Sequence, residues 1–324
     1  MSNATILSPD VEIVTDRKTS VDVIQVENLV KYYPGVKAVD GVSFSVAGGE
    51  IFGLLGPNGA GKTTTTEIIE GLRQPDSGTV RVLGQDMHHH ADAVKQRIGV
   101  QLQTTALYQK LTVREIVALF GSFFDHALPP DEAIALVDLQ EKAGTRSKQL
   151  SGGQRQRLAV AIALVNDPEV IFLDEPTTGL DPQARRRMWE VIENLRARGR
   201  TIFLTTHAME EAERLCDRVA IMDHGTIIAL GSPQELIDQH FTATAITFPT
   251  PVSIAQDELR ALPCVERVGV EQGTITLYSS GVAQTIAALS RIAAMRNEGL
   301  NGLTVQQATL EDVFLKLTGR RIRE

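Results

Sequence analysis

Gly56-Pro57-Asn58-Gly59-Ala60-Gly61-Lys62-Thr63 follows the apolar run Ile51-Phe52-Gly53-Leu54-Leu55 and leads into Thr64-Thr65-Thr66-Glu67-Ile68-Ile69. It matches the Gly-x-x-x-x-Gly-Lys-Ser/Thr phosphate loop in the setting that the match requires, a strand, a glycine loop and a helix. Glycines let successive backbone N–H groups turn inward around phosphate oxygens, and the following helix offers its own N-terminal N–H groups to the same anion. In that setting Lys62 reaches the β- and γ-phosphates as a point charge, and the Thr63 hydroxyl ligates Mg²⁺. A plain glycine turn between a strand and a helix needs neither Lys62 nor Thr63. The segment from Gly56 to Thr64 is therefore the expected nucleotide cradle.

Composition narrows the rest. The chain has 324 residues, enough for one large domain and a smaller one. It carries 32 basic and 40 acidic residues, a net charge of -8, so no basic field awaits nucleic acid. Cys216 and Cys264 are the two cysteines, without metal-ligand spacing, and are expected as small core or surface residues in a reducing compartment. The longest strongly apolar stretch, residues 158–165, falls far short of the roughly 20 residues that span a bilayer. Any membrane role is thus expected to come through a partner chain.

Upstream of the loop, residues 1–20 are polar with mixed charge and no apolar h-region, and are expected as a mobile tail. Alternation at residues 21–26 and 42–46 predicts two strands, and Gly48-Gly49 a turn into the strand that feeds the loop. Between them Lys31-Tyr32-Tyr33-Pro34-Gly35 admits two readings, an aromatic stacked on adenine or a tyrosine packed beside a proline turn.

Downstream, residues 78–84 and 99–103 read as strands. His88, His89 and His90 resemble a metal tract, but adjacent side chains diverge and no carboxylate or cysteine cluster accompanies them, so a solvated loop is expected. From about Tyr108 to Ala143 the pattern turns helical, with Pro129-Pro130 opening a second helix. Leu150-Ser151-Gly152-Gly153-Gln154 then opens another helix, either as a helix cap or as a second anion site. The run 170–173 is a buried-strand pattern ending in Asp174 and Glu175. Desolvated carboxylates there need a cation or hydrogen bonds; Asp174 can hold Mg²⁺, and Glu175 can polarise an attacking water. Gly179-Leu180-Asp181-Pro182 starts a long amphipathic helix, and the strand 201–206 delivers His207 at its carboxyl end, where ligands lie in open α/β sheets.

This ordered set resembles the nucleotide-binding subunit of an ABC transporter over residues 21–241. The resemblance implies an α/β P-loop NTPase fold, a RecA-like core with a β-subdomain and an inserted helical subdomain at about 106–165. It also implies ATP and Mg²⁺ as ligands. Tyr33 would stack on adenine, preferred over Tyr32 by its distance to Ala38-Val39. Residues Gly56, Pro57, Asn58, Gly59, Ala60, Gly61, Lys62, Thr63 and Thr64 would hold the phosphates, and Thr63, Gln103 and Asp174 the metal. Glu175 would be the catalytic base, with Lys62 and His207 steadying the γ-phosphate. Ser151, Gly152, Gly153 and Gln154 would meet the nucleotide of a second ATPase chain, and Asp181 would act across that interface. The family often has proline before and glutamate after the glutamine, whereas this chain reads Gln101-Leu102-Gln103-Thr104, so Gln101 competes with Gln103.

Residues 242–324 suit a β-α-β-β-α-β order, a small α+β ferredoxin-like domain. Their close, residues 309–319, resembles that of type-2, drug-resistance-like ABC exporter ATPases, which implies support of the dimer or of the permease; as bare sequence it equally reads as an amphipathic helix closing a small core. The leading expectation is an export ATPase that forms a homodimer and works on the cytoplasmic face of the membrane through a separate permease. An importer ATPase usually carries a different C-terminal regulatory domain. A non-transport ATPase normally needs two cassettes or a long coiled coil, and neither pattern occurs here.

Overall fold

A computed structural model describes residues 21–102, 107–249, 254–271, 273–296, 299–300 and 302–319. The chain divides into two compact units, with the division between Pro233 and Gln234. The second unit thus starts ahead of residue 242, where the resemblance to the cassette was expected to end.

The first unit begins with β1 (Asp22–Tyr33), β2 (Val36–Ala47), β3 (Ile51–Leu55), α1 (Lys62–Ile69), β4 (Ser77–Val82), β5 (Gln85–Asp86), α2 (Met87–Lys95) and β6 (Ile98–Gln101). It continues with α3 (Val113–Gly121), α4 (Pro130–Leu136), α5 (Gly152–Ala163), β7 (Val170–Asp174), α6 (Pro182–Ala197), β8 (Thr201–Thr206), α7 (Met209–Leu215), β9 (Arg218–Asp223) and β10 (Thr226–Gly231). Six strands form the central sheet in the order β10-β9-β3-β8-β7-β6. All its pairings are parallel except β9 with β10. Strands β3 and β8 are buried throughout, as uninterrupted apolar runs in a parallel sheet require. A second, antiparallel sheet has the order β2-β1-β4-β5. Phe44 of β2 stacks on Phe52 of β3 at 5.2 Å between ring centroids, and Phe52 on Phe203 of β8 at 5.7 Å, so aromatic packing joins the two sheets.

Helices α3, α4 and α5 pack on one another. Thr112 and Glu115 form a capping box at the start of α3, and Val113, Ile116 and Val117 are its buried stripe. Pro130 occupies the first turn of α4, where its missing N–H costs no hydrogen bond. The histidine tract departs from the loop expectation: His88, His89 and His90 lie on α2, because the Asp86 carboxylate accepts the His88 N–H at 2.8 Å and starts the helix. Among the described residues no group of three His, Cys, Asp or Glu side chains converges to hold a metal. Both cysteines are free, Cys216 buried and Cys264 half-buried. No helix among the described residues is long and apolar enough to cross a membrane.

The second unit contains α8 (Pro233–His240), whose first residue belongs to the unit before it, then β11 (Thr244–Pro249), α9 (Gln256–Arg260), β12 (Val265–Glu271), β13 (Thr274–Ser279), α10 (Val282–Met295), β14 (Thr304–Gln306) and α11 (Leu310–Thr318). Its sheet is antiparallel in the order β12-β13-β11-β14. Ile246, Phe248, Ile275 and Leu277 project from the sheet into a core shared with Leu259 of α9 and Leu289 of α10. Lys316 of α11 donates to the His240 carbonyl at 2.6 Å, and its ammonium lies over the Phe241 ring. These contacts tie α8 to this unit and account for the early boundary.

Candidate nucleotide site

Strand register builds the site. Leu55 of β3 pairs with Thr206 of β8, and Asp174 of β7 with Thr205, so the phosphate loop, Glu175 and His207 all leave the sheet at the same edge. Within the loop the backbone geometry demands glycine. Gly61 has φ 106°, and a Cβ there would stand 2.1 Å from the Ala38 carbonyl oxygen; at Gly56 it would stand 2.2 Å from that of Met222. Lys62 is 6% exposed, and its ammonium donates to the Gly56 carbonyl at 2.8 Å and the Pro57 carbonyl at 3.2 Å. Burial lowers its pKa, while the Glu175 and Asp174 carboxylates pull it back up. Thr63 is exposed at the mouth of α1, and Thr64 is half-buried behind it.

Glu175 has φ 47°, a strained value for a residue other than glycine and one that a following proline further restricts. Its N–H donates to the Thr205 carbonyl at 3.1 Å and to Thr205 Oγ1 at 3.2 Å, which holds the bend. Thr178 Oγ1 donates to Glu175 Oε2 at 3.1 Å, and His207 Nδ1 lies 3.2 Å from Glu175 Oε1 without the alignment of a hydrogen bond. The Thr205 hydroxyl also donates to Asp174 Oδ1. Thr205 was not singled out in the sequence; a hydroxyl closing an otherwise apolar strand is its one local signal. Lys62, Asp174, Glu175 and His207 are thus neighbours, a cation, two carboxylates and an imidazole around the end of β3. Such a set can bind a polyphosphate, hold a cation and polarise a water.

Other expected residues lie elsewhere. Ser151 caps α5, its Oγ accepting the Gln154 N–H at 3.3 Å while Gln154 Oε1 accepts the Ser151 N–H at 2.9 Å. Ser151 and Gly152 are exposed, and no hydrogen bond or ion pair among the described residues joins Ser151, Gly152, Gly153 or Gln154 to residues 56–64. Within one chain, Ser151 and Gln154 thus form a helix cap. Asp181 is exposed and caps α6 by accepting the Gln183 and Ala184 N–H groups at 3.0 and 2.9 Å. Tyr32 gives its hydroxyl to Asp40 at 2.8 Å, whereas the Tyr33 ring is half-buried with the Arg73 guanidinium 5.6 Å from its centroid. Gln103 lies outside the described residues. Gln101 is buried, donating to the Leu102 carbonyl at 2.6 Å and more weakly to that of Asp174 at 3.5 Å.

The residues fit a nucleotide and its metal. Enclosed polar atoms without hydrogen-bond partners include Gln101 Oε1 and His207 Nδ1, both bordering the Asp174-Glu175 turn. Gly56 and Gly61 of the cradle admit no side chain, and Lys62 rests on carbonyls that a phosphate can replace as its partner. Thr63 and Asp174 are oxygen donors of the hard kind that suits Mg²⁺.

Comparison with known proteins agrees with this geometry. A family model described as ABC transporter matches residues 39–178. The Nod factor export ATP-binding protein I of Paraburkholderia xenovorans is 43% identical over 310 residues, covering 93% of this chain and 98% of that protein. Its namesake in Ralstonia nicotianae is 43% identical over 318 residues, covering 94% and 96%. Among solved structures, a nucleotide-free ATP-binding cassette from an ABC transporter has a TM-score of 0.61 at 27% identity, over 68% of this chain and 94% of that one. A dimeric post-hydrolysis cassette bound to ADP and Pi has a TM-score of 0.59 at 27% identity, over 64% and 98%.

Proposed function

The chain belongs to the ATP-binding subunits of ABC transporters and is an ATPase, and from that premise we propose that it powers an exporter by closing head-to-tail on ATP with a second copy of itself. Each copy supplies the phosphate loop and Glu175 on one side of a nucleotide, and Ser151, Gly153 and Asp181 on the other. What supports this reading is the combination of Lys62, Asp174, Glu175 and His207 at one sheet edge with a Ser151-Gly152 surface that is exposed and unbonded to it.

The chemistry assigned to these residues is positioning and electrostatics. Lys62 exchanges the Gly56 and Pro57 carbonyls for β- and γ-phosphate oxygens. Glu175, held by Thr178 and by the strained turn, accepts a hydrogen bond from the attacking water and draws off its proton. His207 donates to the γ-phosphate. Tyr33 stacks on adenine, and Gln103 links the metal to the permease. Thr63, Gln103 and Asp174 would hold Mg²⁺, which when bound would neutralise charge on the phosphates. Closure adds charge-assisted contacts across the interface, and release of phosphate removes them.

Export, and a seat on the cytoplasmic face through a permease, follow from the likeness to relatives that carry export in their name. Nod factor is the cargo named for those proteins; cargo contacts belong to the permease, so the likeness extends to the motor alone. At the end of α3 Phe120 and Phe123 meet edge to face at 6.0 Å, and Phe123 is 65% exposed, an apolar surface that we assign to the permease contact. The decisive variant is Glu175→Gln. It is expected to lose turnover by about 100-fold or more while retaining ATP and accumulating as a dimer in size-exclusion chromatography. Wild-type hydrolysis by that variant refutes the assignment.

A further inference from the structure

Glu211 takes no part in the chemistry above, yet the residue is 1% exposed, deep in the ATPase unit. It lies on α7, the helix that follows His207. Trp189 Nε1 of α6 donates to its Oε1 at 3.1 Å. Its Oε2 is enclosed and makes no hydrogen bond of good geometry, although the Thr206 and Thr177 hydroxyls lie against the carboxylate and favour its charged form. Arg185, in the first turn of α6, is the cation that also favours that form, and its Nε is likewise enclosed without a partner. Burial is the largest influence and pushes the carboxyl up.

The neighbours identify the task. Thr206 immediately precedes His207, Thr177 lies on the loop from Glu175 to Asp181, and Arg185 and Trp189 belong to the helix that Asp181 caps. An apolar side chain would join α6 to α7 with less desolvation cost than an enclosed carboxylate. We infer that Glu211 is a positioning residue, a buried hub that sets the His207 segment, the Glu175–Asp181 loop and α6 in mutual register for ATP hydrolysis. This rests on the reading that Glu175 and His207 attend the γ-phosphate.

Glu211→Gln preserves the volume and an acceptor for Trp189 but exchanges the other carboxylate oxygen, set among Thr206, Thr177 and Arg185, for an amide NH2. Thr177→Val removes one hydroxyl from the hub at nearly constant shape. In the full chain with Mg-ATP, both variants are expected to lower kcat, Glu211→Gln by about ten-fold or more, with the KM for ATP within about two-fold of wild type and an unchanged thermal midpoint. A kcat within about two-fold of wild type in both overturns the inference. So does a loss of activity that follows only the loss of folded protein. Glu175→Gln and His207→Ala separate the two levels: inactive reference variants beside a normal Glu211→Gln sink this inference alone, and normal turnover in all of them removes the reading beneath it.

Discussion

Glu70 is a buried carboxyl whose ionisation ties the stability of the ATPase unit to pH. It closes α1 at 2% exposure, and burial, then Asp174, then Glu67, push its pKa up to about 8 from the ordinary 4.5. The folded chain therefore binds a proton that the unfolded chain has released, and stability falls as pH rises from about 4.5 through about 8. Each pKa unit is worth ~1.4 kcal/mol, so the total reaches a few kcal/mol. Glu70→Gln mimics the protonated form without titrating. Its stability relative to the parent, taken from urea midpoints of the nucleotide-free protein, is expected to improve steadily between about pH 5 and pH 8.5. Parallel pH profiles for the two proteins would show that Glu70 does not titrate in this window.

Between elements, the contact of α5 with α6 gives the paired glycines of residues 152 and 153 different meanings. A Cβ at Gly153 would stand 2.7 Å from the Ala184 Cβ, whereas one at Gly152 meets nothing within 4 Å. Gly153→Ala is expected to cost about 1–3 kcal/mol by overpacking, and Gly152→Ala much less. Adding Ala184→Gly to Gly153→Ala should recover most of the loss, a coupling that a double-mutant cycle of denaturation midpoints measures. Ala184 lies in the first turn of the helix capped by Asp181, so this contact fixes how closely the two helix starts approach. Equal costs for Gly152→Ala and Gly153→Ala would contradict this account.

For the whole molecule, the exposed Ser151-Gly152 surface, unbonded to the phosphate loop of its own chain, sets an expectation about concentration. If two copies complete each site, hydrolysis per chain rises with protein concentration until the dimer is saturated, and Ser151→Ala lowers the plateau. ATPase assays over a dilution series check this. Constant activity per chain down to a strictly monomeric preparation, with Ser151→Ala at no cost, rejects the shared site.

The phosphate loop, the acidic end of β7 and the histidine after β8 were legible in the sequence because each is a local arrangement. Glycine spacing dictates backbone freedom, and an uninterrupted apolar run dictates a buried strand. The β-α-β-β-α-β order expected of residues 242–324 is the order of β11, α9, β12, β13, α10 and β14. Local patterns do not say which strand lies beside which. Only the parallel register set Leu55 beside Thr206 and Asp174 beside Thr205, and that pairing recruits the Thr205 hydroxyl to Asp174 and the Glu175 turn. Glu211 on a short helix and Trp189 on another carry no motif; packing alone made them partners. Sequence periodicity decides that a side chain is buried, and the tertiary structure decides what it is buried against, because strand pairing and helix packing join residues far apart in the chain.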